Sequence, residues 1–182
     1  MKKRNSKDIF AETLLELSEK MSVDRITVTM LVKESGLSAK TFYNHFPNIF
    51  ALMIYIEEAE ARKYHEKLLT GNYSLRDYMV DCLHLYSSLR RFMRNAFDNT
   101  SGAEAFEKLH ADLCYRLTLE FLLKQSHLET VPMEVDFALR MYIYGMVKVF
   151  HDYFYGDCKM TETEFVDNCL GNMPKRLGSY FV

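Results

Sequence analysis

The sequence predicts an all-α protein, and three observations carry that expectation. Glycine and proline number only 7 and 3 in 182 residues, so few tight hairpins can be built. Apolar residues recur at helical spacing in segment after segment, as in Ile9, Leu14, Leu17 and Met21 or Tyr78, Cys82, Leu85 and Leu89. Ahead of the apolar runs stand residues that cap helices, namely Thr27, Ser38, Asn48, Ser74 and Thr161. The composition, 48% apolar and 26% charged, is that of an ordinary globular chain. About nine helices account for it with no convincing strand.

The first helix is expected from near Ser6 to about Lys20, followed by a connector at Ser22-Val23-Asp24-Arg25. Thr27 caps a second helix with its hydroxyl, Val28, Leu31 and Val32 form its apolar face, and Gly36 ends it where a left-handed backbone is needed. Ser38 caps the third helix at once, and two helices joined by so short a glycine turn read as a helix-turn-helix. Pro47 stops the third helix, and Asn48 opens a long one that reaches Leu69. Thr70-Gly71-Asn72-Tyr73 breaks it, and Ser74 starts a helix through Leu89 that Arg90–Phe97 either continues or leaves as a separate short helix. After the break at Asn99–Gly102, helices at Ala103–Gln125, Pro132–Tyr155 and Thr161–Leu170 complete the chain. Pro132 suits a first helical turn, and Thr161-x-x-Glu164 is a capping-box pattern.

The formal net charge is -2, which by itself does not suit a strongly basic nucleic-acid binder. Its distribution suits one better. Residues 1–50 carry 8 Lys+Arg against 6 Asp+Glu, while the rest carries 15 against 19, and the positive excess begins at Lys2-Lys3-Arg4. The four cysteines, Cys82, Cys114, Cys158 and Cys169, form no C-x-x-C pair. With no signal peptide and no run long enough to cross a bilayer, they are expected as reduced thiols in a cytoplasmic protein that does not enter membranes. No metal site or cofactor is expected, because the six histidines are scattered and none stands at a useful spacing from a second ligand. No enzyme activity is expected either, for want of a nucleophile elbow, a phosphate loop or a recognisable acid–base pair.

The segment "GLSAKTFYNHF", Gly36–Phe46, is the most informative stretch. Phe42 and Phe46 stand four residues apart and face inward on a helix. At about 100° per residue, Lys40 and Asn44 take the opposite face, with Thr41 and Tyr43 on its flanks. Asn can pair in bidentate fashion with adenine and Lys with guanine, whereas Tyr and His more often hold phosphates. Thr27 and Thr29 offer hydroxyl and backbone donors at a helix N-terminus, to cap it, to hold a phosphate, or both. His45 suits a phosphate contact and a packed core position equally.

"ITVTMLVKESGLSAKTFYNHFPNIFAL", Ile26–Leu52, resembles the DNA-binding signature of the TetR-type bacterial transcriptional regulators. Ile26-Thr27-Val28, Gly36-Leu37-Ser38, Thr41-Phe42-Tyr43, His45-Phe46 and Leu52 carry the match. "YIYGMVKVFHDYF" and "KMTETEFVD" are similar to the last two helices of one common C-terminal type, while Tyr55–Val131 matches only in helix count and length. The resemblance implies a helix-turn-helix DNA-binding domain at 1–50 and a helical effector-binding and dimerisation domain at 51–182. It implies a homodimer through the last two helices and a ligand that shifts the long fourth helix, most simply a repressor released from operator DNA by a small molecule. The recognition helices of such a dimer lie about 34–36 Å apart, one turn of DNA. The expected DNA-contacting set is Lys2, Lys3, Arg4, Thr27, Thr29, Ser38, Ala39, Lys40, Thr41, Tyr43, Asn44 and His45. Two positions depart from the family pattern: Ile49 replaces a lysine that often touches phosphate, and Met21 replaces a usual glycine.

The body is rich in aromatic and methionine side chains. Tyr78, Met79, Cys82 and Tyr86, then Phe92, Met93 and Phe97, then His110, Cys114 and Phe121, and finally Phe137, Met141 and Tyr144 are candidates to line an effector pocket; ordinary core and dimer contacts account for most of such residues. Met and Tyr suit an adaptable cavity for a small apolar or aromatic effector. Arg90, Arg91 and Arg94 fit an anionic ligand or a solvated turn, and Gly145 with Tyr153 fits close helix approach in a dimer or within one chain. Two other classes stay open: an adaptor or coactivator that keeps the fold and works through a protein partner, of which Ile49 would be a symptom, and a ligand carrier or enzyme on a helical body.

Overall fold

In the computed structural model, residues 5–71, 73–102 and 105–180 are described, and they contain ten α-helices, one short 3-10 helix and no strand. The helices are α1 Ser6–Ser18, α2 Val28–Ser35, α3 Ala39–Tyr43, α4 Ile49–Leu69, α5 Leu75–Ser88, α6 Arg90–Asp98, α7 Phe106–Ser126, α8 Met133–Tyr155, α9 Glu162–Gly171 and α10 Lys175–Gly178. No helix among them is long and apolar enough to cross a membrane, and no disulfide joins the four cysteines.

The helix boundaries follow the caps. The Asn5 side chain accepts the Lys7 N–H at 3.2 Å and opens α1. The connector after α1 folds as the 3-10 helix Val23–Arg25. Asn48 Oδ1 accepts the Ala51 N–H at 2.9 Å to open α4, and Ser74 Oγ accepts the Asp77 N–H at 3.1 Å to open α5. At α9 the capping box is complete: Thr161 Oγ1 accepts from Glu164 N, and the Glu164 carboxylate accepts from Thr161 N at 2.8 Å. The hydrogen bonds that the carboxylate accepts from the Thr161 N–H and the Thr161 hydroxyl hold Glu164 below its ordinary pKa. Pro132 sits at the N-cap of α8, one residue ahead of the first helical residue. Arg90–Asp98 is a helix of its own, α6. α10, a tenth helix, is held by the buried Leu177.

The described residues group into two units. Those within Met1–Glu60 and Tyr86–Leu109 form one, and those within Ala61–Leu85 and His110–Val182 form the other, so the division falls inside α4, α5 and α7. In the first unit α1, α2 and α3 pack on one another, and α6 packs on α1. Its core holds Phe10, Leu14, Leu31 and Phe42, all fully buried. Phe42 meets Phe10 edge-on, with ring centroids 5.3 Å apart. In the second unit Leu122, Leu139, Ile143, Val147 and Leu177 join a core that also takes Leu68 and Phe121. On its surface the pairs Arg76–Asp167 and His84–Glu162, both at 3.0 Å, link α5 to α9. Exposed pairs of this kind stabilise by less than about 1 kcal/mol each.

Candidate nucleic-acid interface

The α2–α3 corner is built by local chemistry. Thr27 Oγ1 accepts the Met30 N–H at 3.2 Å, so the hydroxyl caps α2 by taking one of the N–H groups of its first turn. Gly36 follows α2 with φ +70°, and its N–H donates to the Val32 carbonyl at 3.1 Å. Ser38 Oγ then accepts the Thr41 N–H at 3.1 Å and meets Thr41 Oγ1 at 2.8 Å. α3 is short, ending at Tyr43, but Asn44 keeps helical angles and Phe46 N–H donates to the Phe42 carbonyl at 2.9 Å. The turn therefore continues to Phe46 and preserves the facing of the side chains.

Phe42 and Phe46 are buried, whereas Lys40, Asn44, His45 and a 59% exposed Tyr43 stand on the outside. Thr27, Thr29, Ser38 and Ala39 are exposed as well, and Thr41 is half-buried. Lys2, Lys3 and Arg4 lie outside the described residues. His45 is no core histidine: it is exposed, and its Nε2 meets Ser6 Oγ at 2.7 Å at the start of α1. Beside it, Tyr55 of α4 packs on Phe46 and donates its hydroxyl to Asp8 at 2.7 Å. Burial, aided by Asp8, pushes the Tyr55 phenol up to about 12. Ile49, at the position of the absent lysine, is the half-buried first residue of α4.

Asn95 of α6 braces this arrangement from behind, and nothing near it in sequence marks its role. Its amide donates to the carbonyls of Ser18 and Met21, each at 2.8 Å, and its Oδ1 accepts the Val23 N–H at 3.0 Å. Arg91, one turn earlier, pairs with Glu19 at 2.6 Å. Asn95→Ala removes all three side-chain bonds from the turn that follows α1. It is expected to cost about 2–4 kcal/mol, read as a lower urea midpoint at unchanged slope.

The residues singled out for an effector pocket are divided between the units. In the first, Phe92 and Phe97 pack against Phe106, Met93 is fully buried, and Tyr86 donates to the buried Glu57 carboxylate at 3.1 Å. In the second, Cys82 is buried, Met79 is half-buried, and Tyr78 and Phe121 line a small void. His110 and Cys114, four residues apart on α7, bring Nε2 and Sγ to 3.8 Å, a spacing passed over when the histidines are read as scattered. Phe137, Met141 and Tyr144 do not turn inward; they are exposed on α8. Met141 borders an open groove of about 490 Å3 with Gly145, Val149, Met160, Asn168 and Asn172. Tyr153 stacks on Phe165 within the chain, at 4.6 Å.

Three N-terminal helices, with a glycine turn between the second and third, and the helices that follow make up an all-α, TetR-like fold. A solved structure, the dihydroxyacetone kinase operon activator DhaS, superposes on the chain with a TM-score of 0.60 at 16% sequence identity, covering 92% of this chain and 95% of that one. No family model matches the chain, and no curated protein matches it in sequence.

Proposed function

We propose that this chain is a dimeric, effector-responsive transcriptional regulator of the cytoplasm, a repressor that a small molecule releases from its operator. Residues 1–50 form the DNA-binding domain in this reading, and 51–182 the effector-binding and dimerisation domain. The observation that supports it most is the outer face of α3, where Lys40, Tyr43, Asn44 and His45 are exposed over the buried pair Phe42 and Phe46. Solvent alone asks for nothing so specific of a helix; a major groove asks for donors, acceptors and a phosphate contact at this spacing. The homodimer is supported by a stripe of exposed apolar residues on α8: Met133, Phe137, Met141 and Val149. That stripe borders the groove at Gly145, so two copies can bury both features about a two-fold axis.

A titration of the purified protein against DNA from its own upstream region, followed by fluorescence anisotropy at two salt concentrations, tests the reading. Tight binding at one palindrome, weakened by salt and surviving competitor DNA, is expected. Ile49 and the likeness to a protein named an operon activator favour a second reading, an activator or an adaptor acting through a protein partner. Weak, sequence-indifferent binding at that site would favour it. Ile49→Lys separates the two further. In a DNA-bound regulator it should add one phosphate contact and steepen the logarithmic salt dependence by about one unit, whereas in an adaptor the dependence should stay flat.

A further inference from the structure

A long-range hydrogen bond reaches the outer face of the α3 turn from the first turn of α1. Ser6 Oγ and His45 Nε2 lie 2.7 Å apart across 39 residues of sequence. Both partners are held in place. The Asn5 side chain caps α1 by accepting the Lys7 N–H, and the Asn5 carbonyl accepts the Ile9 N–H at 3.1 Å. Asp8, in the same turn, accepts from the Tyr55 hydroxyl at 2.7 Å, and the Tyr55 ring packs on Phe46, the neighbour of His45, at 5.4 Å. The His45 N–H donates to the Phe42 carbonyl at 2.9 Å. Of the groups in that first turn, Lys7 lies over the Tyr55 ring at 5.5 Å and Asp8 is taken by Tyr55. The group that meets the imidazole is an uncharged hydroxyl.

We propose that Ser6 is a positioning residue for DNA recognition. Its hydroxyl donates to Nε2, fixes His45 in the tautomer that carries the proton on Nδ1, and leaves that N–H to donate to a DNA phosphate. The proposal rests on the DNA-binding reading and adds to it a residue outside the helix-turn-helix. Which ring nitrogen of a neutral histidine keeps the proton is set by the hydrogen bond that the other makes. A separation of 2.7 Å is the common length for an O–H donor and is short for an N–H donor. The hydroxyl therefore donates, and Nε2 accepts. Nδ1 is then the protonated nitrogen, because a neutral imidazole has one donor and one acceptor. The ring is exposed, and Nδ1 makes no hydrogen bond among the described residues. A phosphate oxygen only accepts, so the opposite tautomer would turn a lone pair on it instead of a donor. A contact of this kind fixes register on the duplex and carries no sequence information.

The His45 ring nitrogens are followed by long-range 1H–15N NMR in the full chain without DNA, at a pH where they report a neutral ring, and are assigned by their loss in His45→Gln. A protonated Nδ1 and a bare Nε2 are expected in the parent and in Ser6→Thr, which keeps the hydroxyl. Ser6→Ala should shift the ring towards Nε2–H, the form a free neutral imidazole favours in water. Operator affinity, read by anisotropy, should fall about threefold to tenfold in Ser6→Ala, the factor one hydrogen bond sets. The loss should be alike for all sequences and leave the logarithmic salt slope unchanged, since no charge is removed. Ser6→Thr should bind as the parent does. Ser6→Ala leaves the Asn5 cap in place, so the fold should survive; if it does not, the tautomer of the parent still decides. Nε2–H in the parent, or the parent's tautomer or affinity in Ser6→Ala, would overturn the proposal. A parent that binds its operator while Ser6→Ala binds it equally well removes the role of Ser6 and leaves the DNA-binding reading standing. A parent that binds no DNA overturns that reading and the phosphate contact with it, whatever the ring nitrogens report.

Discussion

Alanine at both Lys40 and Tyr43 is expected to abolish specific operator binding, lowering affinity at the palindrome about a hundredfold or more. A base or phosphate contact of this kind carries about 1–3 kcal/mol, and the two side chains stand three residues apart on the same exposed turn. Both project outward, so the loss should come without a loss of fold. Only Tyr43 has a packing role, an edge contact with Phe42 at 5.4 Å between centroids, and Phe42 keeps its contacts with Phe10 and Phe46. Circular dichroism and the urea midpoint should therefore stay near those of the parent while anisotropy shows no saturable binding. The two residues should also separate by specificity. Losing a phosphate contact weakens all sequences alike, whereas losing a base contact relaxes preference at one position of the site. Unchanged regulation of the target promoter in the double variant would point to the adaptor instead.

The α2–α3 corner was readable because its instructions are local. A capping hydroxyl, a glycine with positive φ, a second cap and two phenylalanines one helical turn apart fall within Thr27–Phe46, and each acts on neighbours at most four residues away. The bracing of that corner was not readable, because Asn95 reaches partners 72 to 77 residues back along the chain and Ser6 meets His45 across 39. α10 was missed for a related reason. Four residues after Pro174 are too few to display a helical period, and the helix is held by Leu177 burying itself against α8. In the body, periodicity reports that a face is apolar but not what covers it. Phe92 and Met93 therefore read like Phe137 and Met141, though the first two are buried and the last two exposed.

Glutamate at both Phe137 and Met141 is expected to convert the protein from dimer to monomer. These side chains are 64% and 66% exposed in the single chain, so a charge there costs the isolated fold little. In a dimer they would lie at the centre of the α8 stripe, where burying two unpaired carboxylates on each subunit opposes association from both sides. Apolar anchors at an interface centre are worth about 2 kcal/mol or more each, so the dissociation constant should rise about a thousandfold or more. Sedimentation at micromolar concentration should then report a mass near 21.5 kDa. Operator affinity should fall with it although α3 is untouched, because a dimer holds its second recognition helix at high effective concentration over the second half-site, and a monomer binds each half-site alone. A variant that stays dimeric would place the subunit interface elsewhere and leave the stripe for another partner. A variant that becomes monomeric yet binds the palindrome as tightly as the parent would break the link between dimerisation and DNA recognition on which the regulator reading depends.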